Sequence, residues 1–138
     1  MREGKPVAGT IGWHDLTVSN AEAVRDFYGK VVGWHFESVP MGDYEDFSMM
    51  TTAGECTAGI CHSRGSNDGL PSQWLMYIHV DNLDQSLGEV RDGGGEIVAG
   101  PTTIPDYGSY AVIRDPAGAV CALFEAKIGE EESNGKKE

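Results

Sequence analysis

The sequence predicts an α+β fold of two tandem βαβββ modules, forming a curved eight-stranded cup with the helices on its outer face. Three observations carry this. Val18-Ser19-Asn20-Ala21 and Val80-Asp81-Asn82-Leu83 each close an apolar run, at an offset of 62 residues. Fifteen residues after each Val stands a glycine, Gly33 and Gly95. Between these landmarks Ala23, Val24, Phe27, Tyr28 and Val31 make one helical stripe, and Leu83, Leu87 and Val90 make another.

The elements follow in order. The first strand closes at Val18, and Asn20, or Ser19 beside it, suits the N-cap of the first helix. Gly29 is tolerated near that helix's end. Strands are expected over residues 34–39, 46–52 and 56–61, separated by turns at Met41-Gly42-Asp43 and Ala53-Gly54. Residues 63–72, rich in Gly, Ser, Asn and Pro, read as a linker. In the second half Asn82 or Asp81 caps the helix, and Gly93-Gly94-Gly95 stops it. Strands are expected over residues 96–99, 109–114 and 119–126, with turns at 105–108 and Asp115-Pro116-Ala117-Gly118. Aligning Gly54 with Gly118 changes the offset to 64, which a two-residue loop difference explains. Neither half has enough apolar surface for a core alone, so residues 1–128 read as one domain, with modules at about 10–62 and 73–127.

Composition narrows the function classes. Ten Lys and Arg against 22 Asp and Glu give a net charge of −12, a surface that repels phosphate backbones and anionic lipid. Residues 129–138 read as a disordered acidic tail. There Glu130, Glu131, Glu132 and Glu138 against Lys136 and Lys137 account for two of those charges, so ten belong to the body. No apolar run is long enough for a membrane span, and the first nine residues lack a secretory signal, so the expected address is cytoplasmic. Cys56, Cys61 and Cys121, odd in number, are expected as free thiols, mostly small buried residues.

At this point the residues resemble a known family. Gly12-Trp13-His14-Asp15-Leu16-Thr17-Val18, Asp26-Phe27-Tyr28-Gly29-Lys30-Val31-Val32-Gly33-Trp34 and Asp115-Pro116-Ala117-Gly118 look like the glyoxalase, bleomycin-resistance and extradiol-dioxygenase (vicinal oxygen chelate) superfamily. The resemblance runs from about residue 11 to 126. It implies the fold more sharply than the reaction, because the superfamily hosts isomerases, lyases, dioxygenases and binding proteins.

In its metal-dependent members, ligands come from the first and last strand of each module. The positions matching that pattern here are Trp13, Ala58, Leu75 and Ala122, none of which can bind a metal. The resemblance therefore points to small lactoylglutathione-lyase-related proteins that lack the metal ligands, and no cofactor is expected. Shifting the register by one would bring in His14, but would also turn every other side chain to the wrong face. Leu16 and Val18 share the face of His14 and look helix-packed.

The ligand-facing set is then Trp13, Asp15 and Thr17 on the first strand, and Leu75, Tyr77 and His79 on the fifth. Cys56, Ala58, Val120, Ala122 and Phe124 join them from the closing strands. Such a mostly apolar, aromatic lining suits a small-molecule pocket. Asp15 and His79 are the candidate acid–base pair. Glu125 is out of phase with the cup and is not the missing ligand.

His35 and His62 are expected on the surface, Trp34, Phe36 and Trp74 in the core or at a dimer contact, and Tyr44 and Tyr107 on loops able to close over the cup. The expected function is metal-free binding of a small molecule. The alternative is a lyase or isomerase using Asp15 and His79, or a recruited divalent metal. A homodimer is compatible with either, whereas nucleic acid and membrane are not expected partners.

Overall fold

The computed structural model describes residues 6–127, so the expected tail at 129–138 lies outside the described residues. The chain runs β1 (Ile11–Val18), α1 (Ala21–Val32), β2 (His35–Pro40), β3 (Glu45–Met50), β4 (Cys56–His62), a short 3-10 turn (Gly65–Asn67), β5 (Trp74–His79), α2 (Leu83–Asp92), β6 (Glu96–Ile104), β7 (Gly108–Arg114) and β8 (Val120–Ala126). Eight strands and two helices thus repeat β-α-β-β-β twice, the expected α+β architecture. Two compact units form, residues 13–76 and residues 6–12 with 77–127, and the boundary falls inside the first strand of each module. No helix among the described residues is long and apolar enough to cross a membrane.

In the first unit the strands run β2-β3-β4-β1, with β4 and β1 parallel and the other pairs antiparallel. Alternation along β1 sends Leu16 and Val18 to the face covered by α1, where they meet Ala21, Phe47, Met49 and Ile60. Tyr28, Trp34 and Trp74 pack onto this core with ring centroids 5.5–5.9 Å apart, and the Trp74 indole N–H donates to the Tyr28 hydroxyl at 3.1 Å. Trp34 and Trp74 are therefore core aromatics. The helical stripe is broader than the core it meets. Ala21, Val24 and Tyr28 face the sheet, while Phe27 and Val31 are 56% and 57% exposed. Gly33 ends α1 in a left-handed conformation (φ 81°), its N–H donating to the Gly29 carbonyl at 3.1 Å.

In the second unit the order is β5-β8-β7-β6, again with a parallel pair, β5 and β8, and antiparallel neighbours beyond it. Leu83 and Leu87 of α2 cover Ala111, Ile113 and Leu123, with Ile78, Val80, Val90 and Ile97 packed around them. Strand β6 runs five residues past the expected end at Ala99. Gly100-Pro101 reads as a break, but two irregularities in the β6–β7 register absorb it, and an edge strand tolerates a residue with no N–H to donate.

The two helix starts differ. The Asn82 side chain accepts from the Gln85 N–H at 3.0 Å, whereas Asn20 makes no such bond and is not the cap that its sequence context suggests. The sheet supplies a second acceptor to α2: Glu125 Oε1 takes the Leu83 N–H at 2.7 Å. Substituting Asn82 by Ala is accordingly expected to cost about 1 kcal/mol in urea unfolding, and Asn20 by Ala only a few tenths of that. Equal losses would show that side-chain capping does not distinguish the two helices.

Candidate functional site

In each unit the helix occupies one face of the strands, so side chains of the opposite parity project from a helix-free face. On the first unit this face carries Trp13, Asp15 and Thr17 from β1. Their neighbours across β4 follow from the parallel register, in which Asp15 pairs with Gly59 and Thr17 with Cys61. The Trp13 indole N–H donates to Asp15 Oδ1 at 2.6 Å. A Cβ on Gly59 would collide with that same carboxylate oxygen, so glycine is what lets β4 approach the Trp13–Asp15 pair. Thr17 is 3% exposed, which makes it a packing residue at the base of this face.

Ala58 is a correction. It pairs with Met49, which belongs to the core under α1, and so lies on the helix side. The cause is a bulge: Met49 pairs with Ala58 and Met50 with Cys56, leaving Thr57 as the extra residue. That one residue shifts the module-one equivalent of Ala122 from Ala58 to Gly59. It also returns Cys56, exposed and paired with Met50, to the helix-free side.

On the second unit, Tyr77 pairs with Ala122 and His79 with Phe124 across β5 and β8. Val112 and Tyr110 stand beyond them on β7. Tyr77, His79, Ala122 and Phe124 thus share one face, as alternation predicts. The rings group in two contacts, Tyr77 with Tyr110 at 6.0 Å and His79 edge-on to Phe124 at 5.6 Å. The backbone of His79 is pinned at both ends: its carbonyl accepts from the Gly9 N–H and its N–H donates to the Thr10 carbonyl, both at 2.8 Å. Its imidazole lies where a side chain at position 12 would be. A Cβ on Gly12 would collide with the ring. Nδ1 of His79 is buried and has no hydrogen-bond partner among the described residues. Leaving such an atom unpaired costs about 1–3 kcal/mol, so the arrangement is kept at the expense of stability.

His62, expected on the surface, is buried. It is on the helix side of β4, where Nδ1 meets Asp46 Oδ1 at 3.1 Å and Nε2 meets both oxygens of Glu22 at 3.1 Å. Its backbone N–H also donates to Asp46 Oδ1 at 2.8 Å. Tyr44 packs against this imidazole at 5.4 Å, with the Arg64 guanidinium 4.0 Å over its ring, so Tyr44 is held on the helix side and is no lid over the opposite face. Tyr107 is 69% exposed, and His14 and His35 are exposed as well.

Burial opposes a charge on His62, but the hydrogen bonds and charges of Glu22 and Asp46 outweigh it and hold its pKa above the ordinary 6.5. The same contact holds exposed Glu22 below its ordinary 4.5. Burial, followed by the nearby Asp15 and Asp46 charges, pushes the Cys61 thiol far above its usual range, and burial with Asp115 does the same more mildly for Cys121. Neither is a ready nucleophile.

The geometry defines a class: a duplicated βαβββ protein with an aromatic, helix-free face. The family profile described as Glyoxalase/Bleomycin resistance protein/Dioxygenase superfamily matches residues 10–123, and the chain belongs to that superfamily. It is 35% identical over 120 residues to "Putative glyoxylase CFP32" of Mycobacterium tuberculosis, covering 86% of this chain and 46% of the relative. It is 27% identical over 134 residues to the anthracycline biosynthesis protein DnrV of Streptomyces peucetius, covering 88% and 49%. The chain thus spans about half the length of these curated relatives.

Among solved structures, methylmalonyl-CoA epimerase from Mycobacterium tuberculosis matches with a TM-score of 0.54 at 12% identity, over 88% of this chain and 93% of that one. A superfamily member from Vibrio splendidus matches at 0.55 and 10%, over 82% and 96%. These likenesses are of fold alone.

Divalent metals in this fold need oxygen or nitrogen donors on the first and last strands. The positions concerned hold Trp13, Gly59, Leu75 and Ala122, so the donor set does not fit a metal. Among the described residues no group of three or more His, Cys, Asp or Glu could hold one.

Two outcomes follow. Because the His62 pKa is raised, its stabilisation is full below 6.5 and is lost as pH rises through the raised value; that of Glu22 is lost only on acidification below 4.5. The urea midpoint is therefore expected to fall as pH rises from below 6.5 through the raised His62 value, and Glu22→Gln to flatten that fall. An unchanged slope in the variant would disprove the coupling. Gly59→Ala should cost about 1–3 kcal/mol and shift the Trp13 indole N–H resonance as its bond to Asp15 breaks; an unmoved resonance would contradict the close approach.

Proposed function

We propose that this protein binds a small organic molecule without a bound metal, using the helix-free face of β5, β8 and β7. Tyr77, His79, Ala122 and Phe124 are the contact residues there, and Trp13, Asp15, Thr17 and Cys56 lie on the corresponding face of the other unit. The observation that carries this reading is the replacement of donors by Trp13, Gly59, Leu75 and Ala122 at the positions where metal-dependent relatives hold their ion. A site stripped of ligating atoms but rich in rings keeps the means to bind an apolar compound and loses the means to polarise one. The relatives' names, drawn from glyoxylase chemistry and anthracycline biosynthesis, both concern small organic compounds.

The test is elemental analysis after dialysis against Ni²⁺, Zn²⁺, Mn²⁺ and Fe²⁺, paired with amide chemical-shift mapping of a neutral fragment library. Less than about a tenth of an equivalent of tightly held metal is expected, with fragment-induced shifts at Tyr77, His79, Ala122 and Phe124. A full equivalent of metal would overturn the metal-free reading. Fragments that move none of these four residues would overturn the assigned face.

A further inference from the structure

The unpaired nitrogen of His79 carries the reading one step further. Around His79 the side chains of this face are apolar or phenols, Tyr77, Tyr110, Val112, Ala122 and Phe124, while Arg114 at the far end of β7 is ion-paired with Glu96 at 3.0 Å. Among the described residues, the one buried side-chain polar atom left without a partner is His79 Nδ1. The backbone of His79 is tied on both sides to Gly9 and Thr10, the Phe124 ring stands edge-on against the imidazole, and the backbone of Gly12 closes its other flank. An unsatisfied nitrogen among aromatic rings is a hydrogen-bonding position left for something outside the chain.

We infer that His79 Nδ1 is the polar anchor for a neutral, planar aromatic ligand that carries a hydroxyl or carbonyl on its edge. This rests on the proposal that the face binds a small molecule. The rings of Tyr77, Tyr110 and Phe124 offer flat or edge contacts to a planar ligand. The net charge of −12 disfavours an anion. Neutral imidazole has one N–H and one bare nitrogen, so Nδ1 accepts from a hydroxyl in one tautomer and donates to a carbonyl in the other. The bond replaces none within the protein, so the ligand gains it without competition.

The probes are 2-naphthol and 2-methylnaphthalene, which share shape and differ in the hydroxyl. Both are titrated into the full chain and into His79→Phe and His79→Asn, and the imidazole ¹⁵N resonances of the wild type are followed. The wild type is expected to prefer the naphthol by about fivefold, one ordinary hydrogen bond. In His79→Phe the preference should vanish, and in His79→Asn, whose side-chain amide falls near the Nδ1 position, part of it should return. The Nδ1 resonance of the wild type should move with the naphthol only, a readout that needs no variant to fold.

If the naphthol preference survives in His79→Phe, or if Tyr77 and Phe124 respond to both probes while Nδ1 stays unmoved, the anchor is refuted and small-molecule binding on this face stands. If neither probe moves any residue of the face, the aromatic ligand class is refuted; the fragment library then decides whether the face binds small molecules at all.

Discussion

Everything in this protein hangs on the period-two alternation of strands that have a helix on one side only. Once α1 claims Leu16 and Val18, the chain has no choice about Trp13, Asp15 and Thr17; they emerge on the other face. The same holds where α2 claims Ile78 and leaves Tyr77 and His79 opposite. A one-residue slip would bury the polar set under a helix and strip the core of its anchors. Stability and site are therefore fixed by one choice of parity, and neither can be altered alone.

That coupling explains which side chains surround the core. Glu125 shares the parity of Leu123, so it points to the helix side, where its carboxylate can accept the Leu83 N–H at the start of α2. His62 shares the parity of Ile60, and it meets carboxylates from α1 and β3. Both are charge-assisted ties between a sheet and the N-terminal turn of its covering helix, one direct and one relayed through an imidazole. The acidic residues doing this work are not spare ligands for the opposite face. Their geometry is spent on holding the helix in place.

The duplication and the faces of β1, β5 and β8 were legible because offset and alternation are properties of residue order. The offset of 62 places both helices, and Leu16 with Val18 sets the register that keeps His14 out of the site. The register of β4 was not legible. A bulge adds one residue, Thr57, without any mark in composition, and glycine-to-glycine alignment counts it as an ordinary residue of the strand expected over 56–61. The consequence was one position: Ala58 in place of Gly59. The role of His62 was equally hidden, because its partners Glu22 and Asp46 lie 40 and 16 residues away and only folding brings them together. The Asn20 and Asn82 contexts look alike in sequence, yet only one side chain turns back to cap its helix.

The small residues at Gly59 and Ala122 have a physical corollary. A carboxylate on either strand would need room, solvent and a counter-charge; in a net acidic chain an unpaired one would be costly. Gly59 removes even the Cβ, and the space is taken by the hydrogen-bonded Trp13–Asp15 pair. Restoring a ligand there would require displacing that pair as well as adding a donor. The first unit is thus committed at its centre, with its polar groups satisfied by each other. In the second unit Ala122 leaves the rings of Tyr77, Tyr110 and Phe124 without a carboxylate among them, and His79 Nδ1 has no partner among the described residues.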